Sequence, residues 1–226
     1  MKAVSDKSPG IRVWDLPTRL FHWALVVLVA LQFATAEFGL LSMEWHYRFG
    51  YATLALIVFR IAWGFAGSQT SRFADFVRTP AVVVRYLRAQ ISGTAQAGIG
   101  HNPLGGWSVL VMLACLLAQA LSGLFTSDGL DEDGPFVDAV SNATVKWMTH
   151  VHHLGETVLL LLIALHVAAT LWYWLVRRDN LFLPMLSGRK RIVAVRPLRF
   201  VSGWRALIVL AIAAVLVLIL SRFGSA

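Results

Sequence analysis

His152-His153-Leu154-Gly155-Glu156-Thr157-Val158-Leu159-Leu160-Leu161-Leu162-Ile163-Ala164-Leu165-His166 is a largely apolar stretch with a histidine at each end. The end histidines are 14 residues apart. At about 100° per residue, a helix returns His166 to within about 40° of the face of His152. At 1.5 Å per residue the two lie about 21 Å apart along the axis, most of the roughly 30 Å hydrocarbon thickness of a bilayer. One helix can therefore offer an imidazole near each face of a membrane.

The rest of the chain supports a membrane setting. It has 226 residues, of which 58% are hydrophobic and 14% charged, and its mean hydropathy is +0.67. A soluble domain carries about 25% charged residues. The apolar residues gather into five segments, 20–36, 49–66, 107–125, 154–176 and 206–220. Each is near the roughly 20 residues of a spanning helix. The class is an all-α integral membrane protein.

Charge alternates between the loops. Lys2, Lys7, Arg12 and Arg19 precede the first span. Arg72, Arg78, Arg85 and Arg88 follow the second. Arg177, Arg178, Arg189, Lys190, Arg191, Arg196, Arg199 and Arg205 follow the fourth. The other two loops are acidic, with Glu37 and Glu44 in one and Asp128, Asp131, Glu132, Asp133 and Asp138 in the other. This is the positive-inside pattern, and it predicts a cytoplasmic N-terminus and, after five spans, a periplasmic C-terminus. The net charge of +8 is then an orientation signal that also attracts anionic lipid. Nucleic acid is a poor partner, because the basic residues are spread over three membrane-flanking segments.

Ala34-Thr35-Ala36 before Glu37 has the look of a signal-peptidase site, but the apolar run is longer than a signal h-region and contains His22. We read it as a retained first span. Cys115 is the sole cysteine, and the chain lacks C-x-x-C-H, so an internal disulfide and covalent haem attachment are both excluded. Residues 81–90 read as a short amphipathic helix on the cytoplasmic surface. Residues 92–98 read as a flexible link, and His101-Asn102-Pro103-Leu104-Gly105-Gly106 as a turn opening the third span.

With this topology the histidines sort by depth. His22 lies near the inner end of the first span. His46 lies near the outer start of the second. His152 is outer and His166 inner on the fourth. The pairs are His46 with His152 and His22 with His166. His153 and His150 fall on other faces of the fourth helix, and they read as outer-surface residues. His101 reads as an exposed or turn histidine. Two imidazoles at one depth make a poor zinc site, since zinc takes four ligands or three plus water. They complete a haem iron, whose other four ligands come from the porphyrin. Two non-covalent b-type haems with bis-histidine ligation follow. With both axial positions filled, the task of such irons is electron transfer.

Arg60 is 14 residues after His46, so it shares that face at the depth of the inner haem. An intramembrane charge marks function by default. It either pairs with a haem propionate or snorkels to the interface. Arg19 and Arg48 are further propionate candidates. The role of Glu156, one turn after His152, stays open.

Asp15-Leu16-Pro17-Thr18-Arg19-Leu20-Phe21-His22-Trp23 resembles the opening of bacterial cytochrome b561-type proteins, which are related to the b-type cytochrome subunits of nickel–iron hydrogenases. The His101 turn and Ala164-Leu165-His166-Val167-Ala168 resemble further family segments, and the likeness covers residues 13–191. It implies an antiparallel four-helix core binding two haems, with ligands on the first, second and fourth helices. One departure is His153, where the family pattern has a glutamate; spacing selects His152 as the ligand. Residues 1–190 form the expected four-helix domain, and residues 191–226 add a basic linker and a fifth, C-terminal transmembrane helix.

The resulting expectation is an electron-transfer component of a respiratory chain in the bacterial inner membrane. It passes electrons between quinone and a periplasmic partner, either a c-type cytochrome or a hydrogenase. One alternative is a stand-alone superoxide:quinone oxidoreductase, which the acidic outer loops disfavour because superoxide is an anion. A haem-free transporter or membrane scaffold, with the histidines as proton relays, is the alternative of another class.

Overall fold

Asp15 starts the first membrane helix. The computed structural model describes residues 10–95, 98–130, 132–191 and 197–223. In it, α1 runs Leu16–Ala36. The Asp15 carboxylate accepts the Thr18 backbone N–H at 2.9 Å, as an N-cap does for the open donors of a first turn, and Pro17 suits that turn because it needs no N–H there. Then follow α2 (Met43–Ala66), the short α3 (Phe73–Phe76), α4 (Pro80–Ile91), α5 (Pro103–Gly123), α6 (Asn142–Leu175), the short α7 (Phe182–Ser187) and α8 (Gly203–Phe223). Asn102 Oδ1 caps α5 through the Gly105 N–H at 2.7 Å. Ser141 stands at the head of α6, its Oγ accepting the Thr144 N–H at 3.3 Å.

Five helices, α1, α2, α5, α6 and α8, are long and apolar enough to cross a membrane. The protein is a multi-pass membrane protein built as a helical bundle. α6 has 34 residues, about 51 Å at 1.5 Å each, so it outruns the hydrocarbon layer. It begins twelve residues before the apolar segment does, which places His150, His152 and His153 inside a helix. Lys2, Lys7, Gln96, Ala97, Asp131 and Arg196, read above as loop charge or flexible link, lie outside the described residues.

The chain divides into two compact units. The first comprises residues 1–20, 62–111 and 164–206, and it holds the basic loops. Its frame includes an element the sequence reading lacks, a two-residue antiparallel ladder pairing Ile11 with Lys190 and Arg12 with Arg189. The Val13 and Trp14 N–H groups extend it, donating to the Gly188 carbonyl at 2.8 and 3.2 Å. Gly188 ends α7 at φ +77°, a left-handed conformation open to glycine.

Asp15 is the polar hub of this unit and is 1% exposed. Besides its cap bond it accepts Trp63 Nε1–H at 3.1 Å and Ser71 Oγ–H at 3.3 Å, while Thr18 and Ser71 share a hydroxyl contact of 2.7 Å. Trp63 and Ser71 are themselves fully enclosed. Removing the carboxylate leaves buried donors unsatisfied at about 1–3 kcal/mol apiece and also removes a helix cap. Asp15→Ala is therefore expected to destabilise the protein by on the order of 3 kcal/mol. A thermal melt in detergent against the parent checks this; an unchanged midpoint would remove Asp15 from the role of hub.

The second unit comprises residues 21–61, 112–163 and 207–226, and it holds the acidic loops. Ile57, Leu116 and Leu159 form its buried centre, with Leu25, Val29, Phe33, Ile61 and Ile163 packed around them. Helices α1, α2, α5 and α6 all contribute. α8 buries Ala213 and Val217, one i, i+4 stripe, and presents Leu216, Leu218 and Ile219 outward. Leucines exposed along α6, such as Leu161 and Leu165, are what a lipid-facing surface requires.

Candidate haem-ligand site

His46, near the start of α2, and His152, in the first half of α6, face each other in the second unit. Their ring centres are 6.4 Å apart and the ring planes are inclined at 76°. Each ring is fixed through Nδ1. His152 Nδ1 lies 3.0 Å from the Gln119 carbonyl and 3.3 Å from Ser122 Oγ, and Ser122 in turn donates to the same carbonyl at 3.1 Å. His46 Nδ1 lies 3.1 Å from Thr35 Oγ1 and 3.3 Å from the Gln32 carbonyl. The Thr35 hydroxyl donates to the carbonyls of Leu31 and Gln32 at 2.9 and 2.8 Å, so its oxygen accepts the His46 proton. A backbone or hydroxyl acceptor on Nδ1 selects the tautomer that leaves Nε2 as the metal-binding nitrogen.

The separation suits one iron between the rings. Two imidazoles bound through Nε2 at about 2 Å, each ring centre about 1 Å beyond its nitrogen, place the centres about 6 Å apart. Among the described residues no three His, Cys, Asp or Glu side chains converge on a cage for a bare ion. The donor set is a pair, and a pair is what a porphyrin-bound iron takes. α5 comes close to this site because it carries glycine there: a Cβ on Gly123 would sit 2.8 Å from His152 Cε1. The Gln32 carboxamide lies along the His46 ring, within 3.2 Å of Nε2, so ligation requires it to turn aside.

The face of α2 that carries His46 stays polar inward. His46, Thr53 and Arg60 recur every seven residues, two turns apart and close to one line. Thr53 is 4% exposed and Arg60 2%. The Thr53 hydroxyl is buried with no hydrogen-bond partner among the described residues. A buried polar stripe of this kind fits a cofactor bearing polar groups better than an all-hydrocarbon core. The burial of Arg60 is opposed to snorkelling, which keeps the guanidinium in water.

His22, on α1 in the second unit, is half-buried with its ring edge-on to Trp23 at 5.0 Å. His166, on α6 in the first unit, is exposed, and its carbonyl accepts the Thr170 hydroxyl at 2.9 Å. His150 and His153 are exposed, and Glu156 is half-buried.

The other two arginines have neighbours of their own. Arg19 reaches the carbonyls of Met185, at 3.4 Å, and Leu186 at the end of α7, as a cation does at a helix C-terminus. Arg48 is exposed, paired with Glu44 and stacked 4.9 Å over Trp45.

His101 is not an exposed turn residue. It is half-buried between Trp14, at 4.7 Å, and Phe76, at 4.5 Å. Thr35, Gln119, Ser122 and Gly123 are the functional neighbours that sequence reasoning missed. The polar cluster Gln119-x-x-Ser122-Gly123 in an otherwise apolar span signals the last three; nothing in the sequence signals Thr35.

A family match covers residues 13–188, described as prokaryotic cytochrome b561. The chain belongs to that family. It is thus a membrane b-type cytochrome, and the family implies b-type haem. This cytochrome is similar to a probable Ni/Fe-hydrogenase B-type cytochrome subunit of Azotobacter vinelandii, 22% identical over 84% of this chain and 92% of the relative. It is also similar to a protein of the same description from Cupriavidus necator, 25% identical over 78% of this chain and 85% of the relative. No solved structure matches it.

Proposed function

We propose that this cytochrome holds two b-type haems and passes electrons across the bacterial inner membrane between quinone and a periplasmic redox partner. The facing pair His46 and His152, each held through Nδ1 at a separation suited to one iron, carries the reading for the outer haem. His22 and His166 are assigned to the inner haem from their depth on α1 and α6. A bound haem supplies a one-electron couple. His46 and His152 would hold it, with Thr35 and the Gln119 carbonyl aiming the imidazoles and Gly123 giving the His152 ring its room. Arg60 is assigned to an inner-haem propionate. Residues 1–190 are the four-helix electron-transfer domain, and residues 191–226 add α8.

The loop charges support a cytoplasmic N-terminus and a periplasmic C-terminus. The acidic residues Glu37, Glu44, Asp128, Glu132, Asp133 and Asp138 then face the periplasm, where they attract a basic protein patch and repel superoxide. The relatives named as hydrogenase subunits favour a hydrogenase over a c-type cytochrome as that partner.

The reduced-minus-oxidised visible spectrum, with haem quantified per chain, tests the core of the proposal. Two low-spin b haems per chain are expected. A single haem per fully loaded chain would remove the inner pair, and a colourless protein made with ample haem would leave the transporter or scaffold reading.

A further inference from the structure

The first unit contains a polar cavity of about 140 Å³, lined among others by Tyr86 and Gln90 of α4, Asn102, and Tyr173 near the end of α6. Its hydrogen bonds can be counted donor by donor. Gln90 Nε2 donates to Tyr86 Oη at 2.5 Å and to Tyr173 Oη at 2.7 Å. Asn102 Nδ2 donates to Tyr173 Oη at 2.9 Å. Tyr173 Oη thereby accepts two N–H bonds, which fills its lone pairs, so its own proton goes to Tyr86 Oη, 3.0 Å away. Tyr86 Oη then also accepts two bonds, and its O–H proton has no taker within the network. Gln90 Oε1 is buried with no hydrogen-bond partner among the described residues. The cavity wall is left with one O–H donor and one carbonyl acceptor, a cost of about 1–3 kcal/mol for each such buried group unless a ligand or water completes it.

Charge narrows the ligand. Lys190 and Asp179 both line the cavity, and Lys190 Nζ binds the two carboxylate oxygens at 2.8 and 2.9 Å, so they neutralise each other. Arg177 also lines it and gives one N–H to the Ala95 carbonyl at 3.0 Å. A guanidinium has five donors, so its charge and remaining N–H groups stay available to an anion. On the outer side of α4, Val84, Leu87 and Ile91 are exposed, with Arg85 and Arg88 beside them. An apolar stripe flanked by arginines is how a helix rests among acyl chains and anionic headgroups.

We propose that this cavity binds the headgroup of an anionic phospholipid that also carries a free hydroxyl, a phosphoglycerol headgroup. The phosphate takes Arg177 and the Tyr86 O–H, and the glycerol hydroxyl donates to Gln90 Oε1. The acyl chains follow the apolar stripe of α4.

The test uses the full-length, haem-loaded protein in nanodiscs containing phosphatidylglycerol and phosphatidylcholine in equal amounts, with retained lipid measured by native mass spectrometry. Phosphatidylglycerol is expected to be retained in preference. Tyr86→Phe, Gln90→Leu and Arg177→Gln are each expected to weaken retention by about tenfold. Arg78→Gln, at an exposed position away from both the cavity lining and the α4 stripe, should leave it in place. Phosphatidic acid carries more charge but no hydroxyl, so wild-type protein is expected to retain it less well than phosphatidylglycerol. That arm needs no variant to fold. Equal or better retention of phosphatidic acid, indifference to all three cavity substitutions, or loss in Arg78→Gln equal to that in Arg177→Gln would each overturn the site in favour of diffuse surface attraction. Displacement of the lipid by equimolar soluble glycerol phosphate would overturn the lipid as its occupant.

Discussion

His152→Ala is expected to strip the outer haem from the chain and to leave the inner one in place. In the proposed site the His152 imidazole would be one of the two side chains holding the iron, and its removal would leave a cavity in its place. Haem held without covalent attachment then depends on a single axial bond and packing. Haem per chain should fall by about half, with the spectrum of the remaining haem unchanged. His46→Ala should do the same, because the two rings face each other at 6.4 Å. His153→Ala should keep both haems, since its helical position puts it off the face of α6 that carries His152 and His166. Gly123→Ala gives a subtler version of the experiment. Its methyl carbon would arrive 2.8 Å from His152 Cε1, inside van der Waals contact, and would push the ring off its Gln119 acceptor. The outer haem should be lost or weakly held although all four candidate ligand histidines remain. Haem quantification and a redox titration of each variant decide the matter. Loss of haem in His153→Ala with full occupancy in His152→Ala would transfer the ligand role to the neighbouring residue. Loss of the same haem in His22→Ala and His46→Ala would overturn the pairing by depth.

The parts of this protein that depend on one helix at a time were legible. Hydropathy marks all five spans, and 3.6-residue periodicity puts His46, Arg60, His152 and His166 at helix positions that can be compared by depth. The limits were also local. Hydropathy stops where polar residues start, so it placed the fourth span at residue 154, whereas α6 runs back through Lys146 and Trp147 to Asn142. Ser141 at its head, not apolarity, sets that boundary. What depends on two helices meeting was not legible. Nothing in Thr35 alone says that it accepts the His46 proton, and nothing in Asp15 alone says that it gathers Trp63 and Ser71 from 48 and 56 residues away. His101 looked like a turn histidine because its aromatic neighbours, Trp14 and Phe76, are far from it in sequence. The ladder between Ile11–Arg12 and Arg189–Lys190 is too short to leave an alternating pattern.

Arg60→Gln is expected to lower the midpoint potential of the inner haem while moving the outer one much less. The guanidinium is buried, 2% exposed, two heptads along α2 from His46. Reduction adds an electron to the haem, and a nearby cation stabilises the reduced state more than the oxidised one. Removing the cation therefore shifts the couple downward. A unit charge about 10 Å away in a medium of effective dielectric near 20 contributes on the order of 1–2 kcal/mol, which for one electron is tens of millivolts. Burial limits screening, so the shift should persist at high salt. Arg60→Lys keeps the charge but loses the planar two-pronged contact with a carboxylate, so it should restore the potential only in part and hold haem less well than arginine. The comparison separates charge from geometry. If charge alone matters, lysine restores the potential fully; if Arg60 only packs the helix, glutamine and lysine alter thermal stability and neither moves a midpoint. A redox titration that resolves both haems reads each case. Unchanged potentials with full haem occupancy in Arg60→Gln would sever Arg60 from the propionate and leave it as a buried structural arginine of α2.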